Sequence, residues 1–273
     1  MIRSIEAWEP YIPFLRQIAA EEPGVEGEAR LFSKLADAFG KREPLAFGAF
    51  DGERMTGLFL FQQWAERYLV MSRWLTRSEA AGREMLTYLA EEYPGYGVEF
   101  TFRPENTMLR QLLEEAGATV FPEQQDMALK GPVPTVDTSG IVPLSKEYRP
   151  QYCALHRDSD PDGEIYWTGE MVAADPSGFR VFLALDAGIP VGYLDLGLGD
   201  GGSNVADLYV DKDHRRRGWG RKLLGKAIQW NDAKPLTLQV DVDNDPAIRL
   251  YEGMGFRFVP DSGRVDAIWR IGG

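Results

Sequence analysis

Cysteine and histidine are almost missing from this chain. Cys153 is its one cysteine, and His156 and His214 are its two histidines. No disulfide can close within one copy, and thiolate zinc sites are excluded. So few imidazoles argue against a metal enzyme, and no metal ligand is assigned. Long apolar runs are missing too. No stretch approaches the ~20 residues that span a bilayer. The opening MIRSIEAWEPYIPF has neither the continuous apolar segment nor the small-residue cleavage site of a signal peptide. A cytoplasmic protein without membrane association is expected. Positive charge is in deficit, with 30 Lys and Arg against 42 Asp and Glu, a net −12. Phosphate neutralisation needs basic surface, so nucleic acid is not an expected partner. An acidic surface suits a cationic small molecule. Apolar content of 44% is ordinary for globular proteins, enough to bury a core in each of two domains of about 130 residues.

What the chain does have is a repeat. RSEAAGREML (77–86) aligns with RRRGWGRKLL (215–224), and NTMLRQLLEEAGATVFP (106–122) with NDPAIRLYEGMGFRFVP (244–260), both at an offset of 138. FGAFDGERMTGLFLF (47–61) aligns with FLALDAGIPVGYLDL (182–196) at an offset of 135. The difference fits a longer hairpin loop at GLGDGGSN (197–204). Segments in the same order indicate two copies of one fold. This reading places a first domain at 1–130, a linker rich in proline, glycine and hydroxyl residues at 131–140, and a second domain at 141–273. Each copy mixes hairpins with strand–helix–strand crossovers. The expected class is α/β (α+β), two domains each with a mixed, mostly antiparallel sheet flanked by helices.

The stretch VDKDHRRRGWGRKLL (210–224) gathers Arg215, Arg216, Arg217, Arg221 and Lys222 in an acidic chain. There a strand runs into a helix that begins near Gly218. A helix start leaves backbone N–H groups unpaired and carries partial positive charge, and a phosphate uses both. Gly218 and Gly220 put no side chain between that backbone and a ligand. The stretch is not a dinucleotide fingerprint, since Leu223 stands where the third glycine belongs. It is not a nucleotide P-loop, since Ala227 replaces the metal-binding hydroxyl. The apolar helix growing out of it argues against a nucleic-acid or localisation patch. A polyanion site and a plain solvated helix start remain.

With VDVDNDPAIRLYEGMGF downstream, the stretch resembles the GNAT superfamily of acyl-CoA-dependent N-acetyltransferases. The R-x-x-G-x-G element falls on Arg215, Gly218 and Gly220. The N-x-x-A-x-x-x-Y-x-x-x-G-F element falls on Asn244, Ala247, Tyr251, Gly255 and Phe256. The resemblance covers about residues 180–260, and implies acetyl-CoA as co-substrate and a small amine as acceptor. It implies that backbone groups of Leu208, Tyr209 and Val210 bind the acetyl carbonyl and pantetheine arm. Backbone amides from Arg216 through Arg217, Gly218, Trp219 and Gly220 to Arg221 would hold the pyrophosphate, and Asn244 would contact the pantetheine. Tyr251 would protonate the departing thiolate, a role its ordinary pKa of about 10 suits.

A lysine-like amine is almost wholly protonated at neutral pH, so the attack needs a base. Peptide-acetylating relatives often carry a glutamate five residues before the asparagine, where this chain has Gln239. Asp207 and Asp195 are the base candidates, against a plain reading as polar strand residues. HRDSDPDGEIYW (156–167) offers Asp158, Asp160, Asp162 and Glu164 to attract a cation, with Tyr166 and Trp167 as a wall; a solvated acidic loop fits as well. Its acids have calcium-loop spacing, but Gly169 stands where the last ligand belongs. Cys153 and His156 read as a buried thiol and a surface histidine. The first copy keeps Arg77 and Gly82. It has Ala80 for Gly218, Glu79 for Arg217 and Leu113 for Tyr251, so an empty or closed cleft and a scaffold role are expected. Mycothiol synthases share a two-copy plan, but nothing identifies that substrate. A non-catalytic acyl-CoA-binding sensor is the alternative function. Monomer and homodimer both fit the sequence.

Overall fold

The computed structural model describes residues 1–21, 28–41, 45–161 and 167–272. In chain order the elements are β1 (Ile2–Ser4), α1 (Ile12–Glu21), α2 (Glu28–Lys41), β2 (Leu45–Asp51), β3 (Arg54–Ala65), β4 (Tyr68–Leu75), α3 (Glu79–Glu92), β5 (Gly97–Phe102), α4 (Thr107–Glu115) and β6 (Thr119–Leu129). They continue with β7 (Ile141–Pro143), α5 (Arg149–Ser159), α6 (Gly169–Ala174), β8 (Phe179–Asp186), β9 (Ile189–Gly199), β10 (Gly202–Val210), α7 (Trp219–Asn231), β11 (Leu236–Asp241), α8 (Asp245–Gly253), β12 (Phe256–Phe258) and β13 (Arg264–Arg270). Among the described residues no helix is long and apolar enough to cross a membrane.

The chain forms two compact units, Met1–Glu123 with Arg264–Gly273, and Gln124–Gly263. The first sheet runs β1-β2-β3-β4-β5-β13, antiparallel except for the parallel pair β4/β5. The second runs β7-β8-β9-β10-β11-β6, antiparallel except for β10/β11, with β12 also on β6. Both have the same order, as the repeat requires, and the mixed α/β class is as expected.

Alternation along the strands divides each core in two. In the first unit Phe59 and Phe61 face one apolar cluster, and Leu58 and Leu60 face the other. In the second unit Leu194 and Leu196 pack under α7 and α8, while Tyr193 packs under α5 and α6. The short helices are started by side chains. Asn106 Oδ1 accepts from Leu109 N at 3.1 Å, and Asn244 Oδ1 accepts from Ala247 N at 3.2 Å, each cap being worth about 1 kcal/mol. The shared asparagine of the two copies therefore has a structural reason to recur.

The domain boundaries read from the sequence need correction. Arg264–Gly273, assigned above to the second domain, belongs to the first unit, where Val265 pairs with Phe102 and Arg270 with Gly97. Gln124–Ala128, assigned to the first domain, pairs with Asp241–Thr237 in the second unit. The two copies carry equivalent last strands and equivalent open edges, so local pattern cannot say which strand closes which sheet. The 131–140 segment is also no free tether. Lys130 and Gly131 N–H groups both donate to the Gly255 carbonyl, at 3.1 and 2.8 Å, and Asp137 binds Lys222.

Candidate active site

Strands β10 and β11 pair only from Ser203↔Leu236 to Val205↔Leu238. A bulge follows between Val205 and Asp207, and from there Asp207–Val210 pair with β9 alone. A bulge bends and twists its strand, so β10 leaves β11 and opens a cleft in the second sheet. Leu208, Tyr209 and Val210 line its edge. Gly192, opposite Val210, permits the close pairing with β9, since a Cβ there would lie 2.7 Å from the Tyr209 carbonyl oxygen. The Val210 carbonyl is already occupied by Arg215 Nε at 2.9 Å.

At the cleft's mouth Gly218 precedes α7 with φ 85° and no side chain caps the helix. The first-turn N–H groups are thus left for solvent or a ligand. Arg216 shares the left-handed region at φ 63°. The basic residues divide by task. Arg217 donates to the Asp213 carbonyl and lies 3.6 Å from Asp186. Lys222 binds Asp137 at 2.9 Å, whose carboxyl is held well below its ordinary range by Ser139 and then by that lysine. Arg216 and Arg221 form no ion pair among the described residues and stay exposed. The Trp219 ring packs inward against Gly140, so only its backbone faces the mouth. Asn244 spends Oδ1 on its cap, leaving Nδ2 for a ligand. Gly218→Ala tests the turn. Open space surrounds a Cβ there, so the cost is backbone strain, about 1 kcal/mol of stability. Thermal unfolding of the variant checks that cost.

Tyr251 comes from α8 and is buried at 8% exposure. Its hydroxyl has no hydrogen-bond partner among the described residues. Burial first, then Asp207 and Asp241, push its pKa up to about 12. Asp207 lies on β10 with Tyr209, whose ring packs in the cluster beneath α5 and α6, whereas Tyr251 belongs to the opposite cluster.

Sequence reading missed most of the polar network around Asp207. Tyr193 Oη donates to Asp207 Oδ2 at 2.5 Å, and Ser159 Oγ lies 2.8 Å from Tyr193 Oη. Asp195 accepts from Tyr152 Oη at 3.0 and 2.9 Å and bonds His156 Nε2 at 2.8 Å. His156 is therefore no surface histidine. It is 8% exposed, and its ring stacks on Tyr193 with centroids 4.5 Å apart. Cys153 is buried as expected. Burial raises the carboxyl pKa of both Asp195 and Asp207, because a charged carboxylate loses solvation there. The His156, Asp195 and Asp207 donor atoms lie within 4.8 Å of one another, but Tyr152, His156 and Tyr193 already bond the two carboxylates. The spacing Tyr152, His156, Ser159 places three polar groups on one helical face, and Tyr193 and Asp195 share one strand face. That coincidence was the available signal. Asp162, Glu164 and Tyr166 lie outside the described residues. Asp158 is exposed, and Trp167 packs tilted on Phe179 at 5.5 Å.

Residues 141–256 match the family model of the Acetyltransferase (GNAT) family. Across the whole chain the fold is similar to a GCN5-related N-acetyltransferase from Sphaerobacter thermophilus, with TM-score 0.59 at 17% identity over 99% of this chain and 95% of that one. It is also similar to a tandem GNAT protein from the clavulanic acid biosynthesis pathway, solved without AcCoA, with TM-score 0.51 at 15% identity over 100% and 99%. An uncharacterized protein of Mycobacterium leprae is 38% identical over 66 residues, 22% of this chain. The match spans 18% of that relative's length. The family match supports an N-acetyltransferase domain over residues 141–256, and the solved structures share its fold.

Proposed function

We propose that the second unit transfers an acetyl group from acetyl-CoA to a small, cationic amine. The observation that carries this reading is the cleft between β10 and β11, opening onto the uncapped start of α7 inside the family-matched segment. The first-turn amides with Arg216 and Arg221 suit a pyrophosphate, and the Leu208–Val210 edge suits the pantetheine arm and the acyl carbonyl. Acetyl-CoA supplies the acyl thioester. Asp207 takes the proton from the acceptor amine, and Tyr251 gives its own to the departing sulfur. The single buried thiol accords with a reducing cytoplasm.

The first unit serves as scaffold. Its α3 start is capped, Ser78 Oγ accepting from Ala81 N at 3.2 Å, and Glu79 is tied to Arg83 at 2.8 Å. The Trp74 ring lies 4.5 Å from Phe59 and 6.1 Å from Phe100, filling the space where β4 outruns its pairing with β5.

An amine panel followed by thiol release, with calorimetry of coenzyme A binding, tests the reading. Thiol release with one coenzyme A per chain is expected. Binding without release would make the protein a sensor. Two bound molecules per chain would end the scaffold assignment.

A further inference from the structure

Three hydrogen bonds in line join Asp207 to the end of α5. Asp207 Oδ2 meets Tyr193 Oη at 2.5 Å, Tyr193 Oη meets Ser159 Oγ at 2.8 Å, and Ser159 Oγ meets the His156 carbonyl at 2.8 Å. The two hydroxyls carry one hydrogen each. With Asp207 ionised, two hydrogens must serve three contacts, and Tyr193 is drawn to the carboxylate. With a proton on Asp207, three hydrogens serve three contacts, all pointing the same way. Protonation of Asp207 therefore turns the Tyr193 hydroxyl from the carboxyl to Ser159, while Ser159 keeps donating to the His156 carbonyl.

We infer that Asp207, Tyr193 and Ser159 form a proton wire that carries the acceptor's proton out of the cleft, with Ser159 as its exit. The inference rests on the transferase reading above. As the amine nitrogen bonds the acyl carbon and the carbon–sulfur bond breaks, the amine proton goes to Asp207 and the Tyr251 proton to sulfur. Asp207 then passes its proton to Tyr193 Oη, while Tyr193 passes its own to Ser159 Oγ and Ser159 releases one to a water or buffer base. Each hydroxyl again holds one hydrogen, and Asp207 is again an anion.

The neighbouring groups leave this as the route. Around Asp207 stand His156 on α5 and Tyr193 and Asp195 on β9, with Tyr152 of α5 bonded to Asp195. Asp195 accepts from Tyr152 and is bonded to His156 Nε2, so its oxygens are engaged toward α5 and not in this row. Tyr251 has no bonded neighbour. The His156 ring, stacked on Tyr193 with planes 13° apart, holds the phenol in line. Ser159 alone of the three wire groups ends a helix, and it is half-buried, where a water can reach.

Ser159→Ala, Ser159→Thr and Tyr193→Phe are compared in thiol release at low and high imidazole. Ser159→Ala should lower kcat about tenfold at low buffer, recover with imidazole and keep its KM for acetyl-CoA, while Ser159→Thr keeps the rate. Infrared titration of the protonated Asp207 carboxyl gives a readout without turnover. Tyr193→Phe should shift it to higher pH, because the anion loses its donor. An active wild type with an unimpaired Ser159→Ala at low imidazole overturns the wire alone. A wild type that releases no thiol from any amine overturns the transferase reading and the wire with it.

Discussion

Asp207→Asn is expected to lower kcat/KM by about 100-fold or more, the range that loss of a positioned base costs, and yet to leave the protein at least as stable at neutral pH. The amide keeps an oxygen that accepts from Tyr193, so the bond at 2.5 Å has a replacement. The stability sign follows from linkage. Burial raises the Asp207 pKa in the folded state, so the folded chain holds that proton more tightly than the unfolded one. The stabilising contribution is then complete below the ordinary carboxyl pKa and is lost as pH rises through the folded value. Near neutrality the ionised carboxylate costs stability, and asparagine removes that cost. Thermal unfolding of both proteins between acid and neutral pH should show the variant's advantage shrinking as pH falls. A variant that is fully active, or unstable at neutral pH, would remove Asp207 from the base role.

Tyr251→Phe should cost kcat about 100-fold with little change in KM for acetyl-CoA. Its hydroxyl has no hydrogen-bond partner among the described residues, so its removal leaves no orphaned group. Thermal stability should hold. The wild-type pKa pushed up to about 12 means the phenol stays protonated throughout the working range. Any alkaline fall in wild-type rate below that range therefore belongs to another group, and the pH profile of kcat checks this. Unchanged kcat in the variant would leave the sulfur without this donor. Lost folding would reassign Tyr251 to the core.

Much of this site was legible in the chain. The helix start near Gly218 was legible, and α7 begins at Trp219 with no side-chain cap. Asn244 was read as a pantetheine contact, and its Oδ1 caps α8. These are local features, fixed by a few neighbouring residues. His156 was not legible, because a polar residue on a helix is hidden only if a partner waits on the sheet beneath. That partner, Asp195, is 39 residues away. The same holds for Tyr193 and Ser159, which are 34 apart and act on Asp207 only once α5 has packed on β9.

The sequence by itself determined the twofold repeat, the order of elements in each copy, and the bare helix start at 218–221, since these follow from periodicity and from residues adjacent in the chain. The tertiary structure alone decided which last strand closes which sheet and how α5, packed on β9, brings Tyr152, His156 and Ser159 to Asp195 and Tyr193. Pairing between open strand edges and contact across a splayed sheet depend on groups far apart in sequence, and local pattern places no constraint on them.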